Sequence, residues 1–368
     1  MRLPHPWTRA LNARDTRNVQ PRTIDVSALW PKIRVLNRGL VEIPGAWVNP
    51  FTVSGDGRLV FATIHTDDWA GVAAIPTDGS GYTRIFQFAN PDMDQVTGGS
   101  FDGRWLVWSE SHDPADRGDW SIRAWDAESG QVQTVAEAPR KDGRTIPGPF
   151  VFPTVDHGMV AWAQTSPEGG REIHLYSLAD RRDRILAAGD VGRSPVTFWW
   201  PYIIWQVRDQ SGPEDRAGRV MTADATTGEP VEPTPAPAAI RQLWFMAASE
   251  SVLAWTDGGI LWVWRPGEAA ARAVFRAPDG DYIQFLSIAG DLTTWGGVTG
   301  PWVADLRSGS VAKLPQLYGG RHARGTALLV VEPTSQVRSR RPLLRIRVAD
   351  VGQLEPLPTC ASSTPGTD

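Results

Sequence analysis

Two loops carry the side chains best suited to chemistry. "IHTDDWAG" (64–71) and "SESHDPADRGDW" (109–120) each set a histidine within two positions of an aspartate. Neutral imidazole and carboxylates together suit a divalent cation, or a general base with the acid that orients it. His65, His112 and Asp67 are the metal-ligand candidates, with Asp68 and Asp113 beside them as further ligand-binding candidates. The competing reading is that these aspartates cap loop turns by accepting backbone N–H groups, which is what Asp does in most loops.

A second group lies near the C-terminus. "GGRHARG" (319–325) supplies Arg321, His322 and Arg324, and "QVRSRRPLLRIR" (336–347) supplies Arg338, Arg340 and Arg341. Guanidinium groups gathered at one mouth bind carboxylate or phosphate in bidentate fashion; dispersed, they only solvate loops. A third group is aromatic: Trp244 and Phe245, Trp199 and Trp200, and Phe285 next to Gln284. A mouth walled in this way suits a flat apolar or sugar ligand, although inner strands also need such bulk for packing. No G-x-S-x-G, H-E-x-x-H, P-loop, G-x-G-x-x-G or C-x-x-C motif occurs. No catalytic residue is therefore assigned from spacing.

These groups are positioned by a repeat. "WLVWSESHD" (105–113), "MVAWAQTSP" (159–167), "YIIWQVRDQ" (202–210), "SVLAWTDGG" (251–259) and "DLTTWGGVT" (291–299) share one cadence, an apolar run with a tryptophan and then a polar break. A further apolar segment precedes each phrase. Alternating strands that end in Asp-Gly, Ser-Gly or Thr-Gly follow it, the chemistry of hairpin turns. Four strands per unit, recurring about every 40 residues, is the signature of a β-propeller. The reading is all-β, a seven-bladed β-propeller of four-stranded antiparallel blades, with units at 45–88, 92–138, 147–190, 194–234, 240–277, 281–316 and 320–358. Trp108, Trp162, Trp205, Trp255 and Trp295 fall on the second strand and are assigned to the wedge between blades, with Phe61 and Val330 at the equivalent places.

Residues 1–28 read as an irregular arm, 29–358 as one propeller domain and 359–368 as a flexible tail. "KIRVL" (32–36) and "LVEIP" (40–44) are expected to clasp the last blade, a role that "GQLEPLP" (352–358) could also fill. In such a ring, loops between second and third strands share a face with the loops linking blades. The His65 and His112 loops would meet on that loop-rich face.

"SGDGRLVFAT" (54–63) and "SFDGRWLVWS" (100–109) resemble the S-x-D-G repeats of TolB-like, PD40-type bacterial propellers. The likeness is sharp in these two units and loose in the rest, where Trp-Pro, Ser-Glu-Ser or Gly-Asp stands in place of Asp-Gly. It implies a non-catalytic platform that recognises a protein, peptide or glycan through its loop-rich face. The alternative is a propeller enzyme, a hydrolase, lyase or cyclase, working at the aromatic mouth of the channel.

The formal net charge of −4 gives no basic field for nucleic acid or an anionic membrane. Cys360 is the single cysteine, so neither an internal disulfide nor a multi-cysteine metal site can form. No cofactor is expected beyond that one divalent metal. A monomer is expected, cytoplasmic if the chain is complete and of the envelope or secreted if an export segment has been removed. No stretch is apolar for the roughly 18 residues that a membrane span needs.

Overall fold

A computed structural model describes residues 22–23, 34–35, 46–113, 118–146, 152–189, 191, 195–208, 218–232, 243–257, 259–277, 282–297, 300–314, 322–333 and 344–357. Six sheets of four or more strands form the blades of a β-propeller. Their cores run over 47–87, 95–137, 154–189, 245–276, 284–313 and 322–350, here blades 1 to 6. Between blades 3 and 4 lies a sheet with three strands among the described residues, Thr197–Trp199, Tyr202–Arg208 and Gly218–Asp224. Among the described residues, the expectation of seven four-stranded blades is thus corrected to six. The Pro-rich run "EPVEPTPAPAA" (229–239) follows that sheet where a fourth strand was expected. Proline has no N–H to give a ladder, and among the described residues this sheet is extended by isolated bridges, Val191 to Val207 and Ala223 to Pro230.

The first two blades make their first turn as the sequence dictates. In the first, the Ser54 hydroxyl donates to Asp56 at 2.6 Å and accepts from the Leu59 N–H at 2.9 Å, while Asp56 accepts the Arg58 N–H at 3.0 Å. Gly57 takes φ 70°, a left-handed conformation that suits glycine. In the second, Asp102 accepts the N–H groups of Arg104 and Trp105, with Gly103 at φ 110°. The Ser-x-Asp-Gly phrase is a turn that closes the first strand onto the second.

Neighbouring sheets share clusters of buried apolar side chains. Trp108 packs with Phe61, Phe101 and Leu106 between blades 1 and 2, and Trp162 with Val107 and Trp120 between blades 2 and 3. Trp205, Trp255 and Trp295 fill the later gaps, and all five tryptophans are 4% exposed or less. The expected wedge role holds for each, and Phe61 and Val330 are fully buried at the equivalent places. Blade 1 closes on blade 6 through Val53, Val60 and Ile75 against Leu329, Val331 and Val348.

The N-terminal segment completes the outer edges. Arg34–Val35 pairs antiparallel with Leu344–Asp350 on blade 6, within the stretch assigned to the clasp. Arg22–Thr23, inside the stretch read as an irregular arm, pairs parallel with Ser310–Lys313 on blade 5. The rival segment forms a short 3-10 turn, Val351–Gln353, and then buries Leu354 and Leu357 under blades 5 and 6. "LVEIP" (40–44) and the tail 359–368 lie outside the described residues. Among the described residues, no helix is long and apolar enough to cross a membrane.

Candidate functional site

The first strands of the blades surround a central cavity of about 1570 Å³. Its two ends differ. At one end lie the turns joining first to second strands, and hydrogen bonds tie these turns into a rim. Gly55 O accepts the Thr326 N–H at 2.9 Å, Gly325 O accepts the Gly290 N–H at 2.9 Å, and Asp102 Oδ2 accepts the Gly158 N–H at 2.8 Å. Each bond joins two blades. At the other end Phe152, Phe245 and Phe285 come together, with ring centroids 6.2 Å apart for Phe152–Phe285 and 5.3 Å for Phe245–Phe285. Phe152 leads into blade 3 and Phe285 belongs to blade 5, so rings from sheets that are not neighbours meet across the axis and narrow the channel. Phe285 reaches this place through a β-bulge and a φ of 53°. Such a conformation is uncommon outside glycine. The three rings form an aromatic floor at that end, and the bonded turns form a rim at the other.

The rim holds a second aromatic pair. Trp200 stacks on His157 with centroids 4.0 Å apart and planes 19° from parallel, and Trp200 remains 36% exposed. His157 Nδ1 lies 3.0 Å from Asp156 Oδ1. Asp56, Asp102, Asp156 and Glu250 line the same end, each from a different blade. Burial opposes ionisation of Asp56, but hydrogen bonds from the Ser54 hydroxyl and the Arg58 N–H, with the Arg58 charge, hold its carboxyl below the usual range.

The candidates from the two loops enter separate local networks. His65 ends the strand Leu59–His65 and packs its ring against Trp47 and Phe88, at 5.0 and 5.9 Å. Asp67 is exposed. Asp68 accepts from the Thr66 hydroxyl at 2.7 Å and from Arg84 at 3.4 Å, the turn-capping use of aspartate. That hydroxyl bond is the main cause of its lowered pKa. His112 Nδ1 is 2.9 Å from Asp94 Oδ1, and its Nε2 is 3.1 Å from Ser121 Oγ. The Asp113 carbonyl accepts from the Ser111 hydroxyl. Among the described residues, no group of three or more His, Cys, Asp or Glu side chains is gathered to hold a metal ion.

Of the aromatic candidates, Trp199, Trp200, Phe245 and Phe285 line the cavity. Trp244 is 46% exposed just before its strand, and Gln284 begins the strand Gln284–Ala289, half-buried. His322 and Arg324 belong to the short strand His322–Arg324. Arg321, Arg338, Arg340 and Arg341 lie outside the described residues.

Sequence reasoning missed the buried polar partners of the wedge tryptophans. Glu110, 1% exposed, accepts from Trp108 Nε1 at 2.7 Å and from Arg123 Nε at 3.0 Å. Gln164 accepts from Trp162 Nε1 at 2.8 Å, and His174 stacks on that indole while contacting Asp183 and Glu172. The signal was available. Both acceptors sit two residues after the tryptophan, and strand alternation puts residues i and i+2 on one face. His157 was also missed, because only the folded ring sets it beside Trp200.

No family model matches the sequence, and no curated protein matches it. Solved structures do. The β-propeller domain of the Trilobed protease from Pyrococcus furiosus is 8% identical, with 83% of this chain and 95% of that one covered and a TM-score of 0.54. The chain is a β-propeller. An oligogalacturonate lyase in complex with manganese is similar at 11% identity over 83% of this chain and 90% of that one, TM-score 0.53. A prolyl endopeptidase is similar at 13% identity and TM-score 0.55, with 85% of this chain covered but only 48% of that one. The propeller thus spans about half the length of that enzyme. TolB from Acinetobacter baumannii is also similar, at 10% identity over 73% of this chain and 62% of that one, TM-score 0.40. At these identities the likeness carries the fold alone.

Proposed function

We propose that the protein is a non-catalytic binding propeller that takes an extended peptide or glycan into its central cup. The observation that carries this reading is the size and form of the cavity. Drug-sized ligands occupy pockets of roughly 300–1,000 Å³, whereas this cup measures about 1570 Å³ and is lined from every blade. Such a space fits a chain segment better than a single small molecule. The aromatic floor at Phe152, Phe245 and Phe285 gives apolar contact, and the bonded rim holds its shape before binding, which lowers the ordering cost. The structural relatives include the propeller domain of a protease and a lyase, but the likeness reaches only the fold and so favours neither binding nor catalysis. Ala248→Trp, from the end of a first strand lining the cup, tests the reading. Ligands captured from immobilised peptide and oligosaccharide arrays should be lost in that variant at unchanged melting temperature. Equal capture by both proteins would overturn it.

A second reading, a hydrolase on the loop-rich face, is supported by the Asp94–His112–Ser121 contacts. They set an acid, an imidazole and a hydroxyl in series, as a nucleophile and its base require. Ser121 is only 4% exposed within the strand Trp120–Asp126, which favours a clamp holding the crossover from blade 1 to blade 2. A serine-reactive phosphonate probe decides between them: covalent labelling of Ser121, lost in His112→Ala, would favour the hydrolase.

A further inference from the structure

We infer that the cup admits a basic polypeptide segment, led through the rim by an arginine or lysine side chain. The inference rests on the cavity reading above and adds the chemistry of the occupant. Among the described residues, four carboxylates line the cavity, Asp56, Asp102, Asp156 and Glu250, against one guanidinium, that of Arg58. All come from the first-to-second turns or the strand ends beside them, so their charge collects at one mouth. A cleft with low-dielectric walls concentrates such a field on whatever enters. The protein as a whole, at −4, offers no comparable local excess to predict from composition.

The four acids do different work. Asp102 is engaged by three backbone N–H groups, from Arg104, Trp105 and Gly158, and so fixes the rim. Arg58 lies 3.5 Å from Asp56 with its side chain 82% exposed, a pair largely screened by water. Glu250 stands exposed on the turn after Ala248, and Asp156 lies on the strand end beside His157. Trp200 gives the sign-matched aromatic surface. One face of its indole is covered by His157, and the ring is still more than a third exposed. A cation over an indole is attracted by the ring's electron-rich face, and a guanidinium can stack there while donating to carboxylates at its edge. A neutral glycan would use the ring equally well and could donate hydroxyls to the carboxylates, but it would gain nothing from their net charge. A polypeptide is preferred to a small cation because the cup continues from this mouth to the aromatic floor, far beyond the reach of one charged group.

The test is fluorescence anisotropy with the full-length protein and three labelled dodecapeptides of Gly, Ser and, at every third position, Arg, Glu or Ser. The expected result is binding of the Arg peptide alone, weakened about tenfold by Trp200→Ala. Glu250→Lys, a change at an exposed position that should not disturb folding, should weaken it similarly, and the affinity should fall as NaCl rises from 50 to 500 mM. Binding of the Glu or Ser peptide with equal affinity would overturn the inference. So would Arg-peptide binding indifferent to both substitutions, which would mark it as diffuse charge attraction. Displacement by equimolar spermine would reassign the mouth to small polycations. The two readings fail separately. If array ligands are lost in Ala248→Trp yet the Arg peptide never binds, the cup stands as a binding site and the basic segment is rejected.

Discussion

Replacing Glu110 separates the packing of the wedge tryptophans from their hydrogen bonding. Glu110→Ala leaves the Trp108 indole N–H, in a side chain with 0% exposure, without the acceptor it had at 2.7 Å. A buried donor deprived of its partner costs about 1–3 kcal/mol. Arg123 loses its ion pair as well, but its side chain is 23% exposed, donates to Thr134 and lies 4.4 Å over the Phe86 ring. That loss adds only about 1 kcal/mol. The sum is about 3 kcal/mol, or about 6 °C in melting temperature at roughly 2 °C per kcal/mol for a chain of this size. Glu110→Gln is the matched control. Its amide oxygen can accept from Trp108 as Gln164 accepts from Trp162 at 2.8 Å, so only the ion pair is lost, about 1 kcal/mol. Thermal unfolding followed by tryptophan fluorescence reads both variants. If Ala and Gln melt within 1 °C of each other, the bond to the indole contributes nothing and the reasoning fails.

Trp162→Ala, a cavity at a site 1% exposed, should cost about 3–5 kcal/mol, seen as a lower denaturation midpoint. Gly325→Ala should destabilise ring closure by about 1–3 kcal/mol, because Gly325 has φ 55° and an added Cβ would meet Gly55 O at 2.7 Å; amide exchange should rise in blades 1 and 6 together. Burial opposes the charge on Asp305, yet bonds from Arg307 and the Leu357 N–H hold its carboxyl below the usual range. Because the folded-state pKa is the lower one, this stability is present above the unfolded value of about 4 and is lost as pH falls through the folded value. Asp305→Asn should therefore flatten the decline of melting temperature below about pH 4. Removal of residues 1–36 strips the outer strands from blades 5 and 6, and size-exclusion chromatography should show association through the exposed edges.

The sequence by itself determined the repeating strand, its turn and its wedge. Ser54, Asp56 and Gly57 specify a turn through contacts within five residues, and the place of Trp108 or Trp295 follows from strand alternation about that turn. These are nearest-neighbour properties, so they can be read along the chain. The acceptors Glu110 and Gln164 were legible by the same rule, though they went unread. The number of four-stranded blades was less legible, because the strand pattern of 194–234 does not reveal whether an outer strand completes that sheet, which has three strands among the described residues. The proposed binding region was decided by tertiary structure alone. At His65 and His112 histidine and acid stand close together in the chain, but the fold sets His65 against Trp47 and Phe88, and His112 beside Asp94 and Ser121. The cup instead brings Asp56, Asp156, Trp200 and Glu250 to one mouth from turns up to 194 residues apart. Only closure of the ring sets them side by side, since each blade contributes one turn to the rim and no single repeat holds the site.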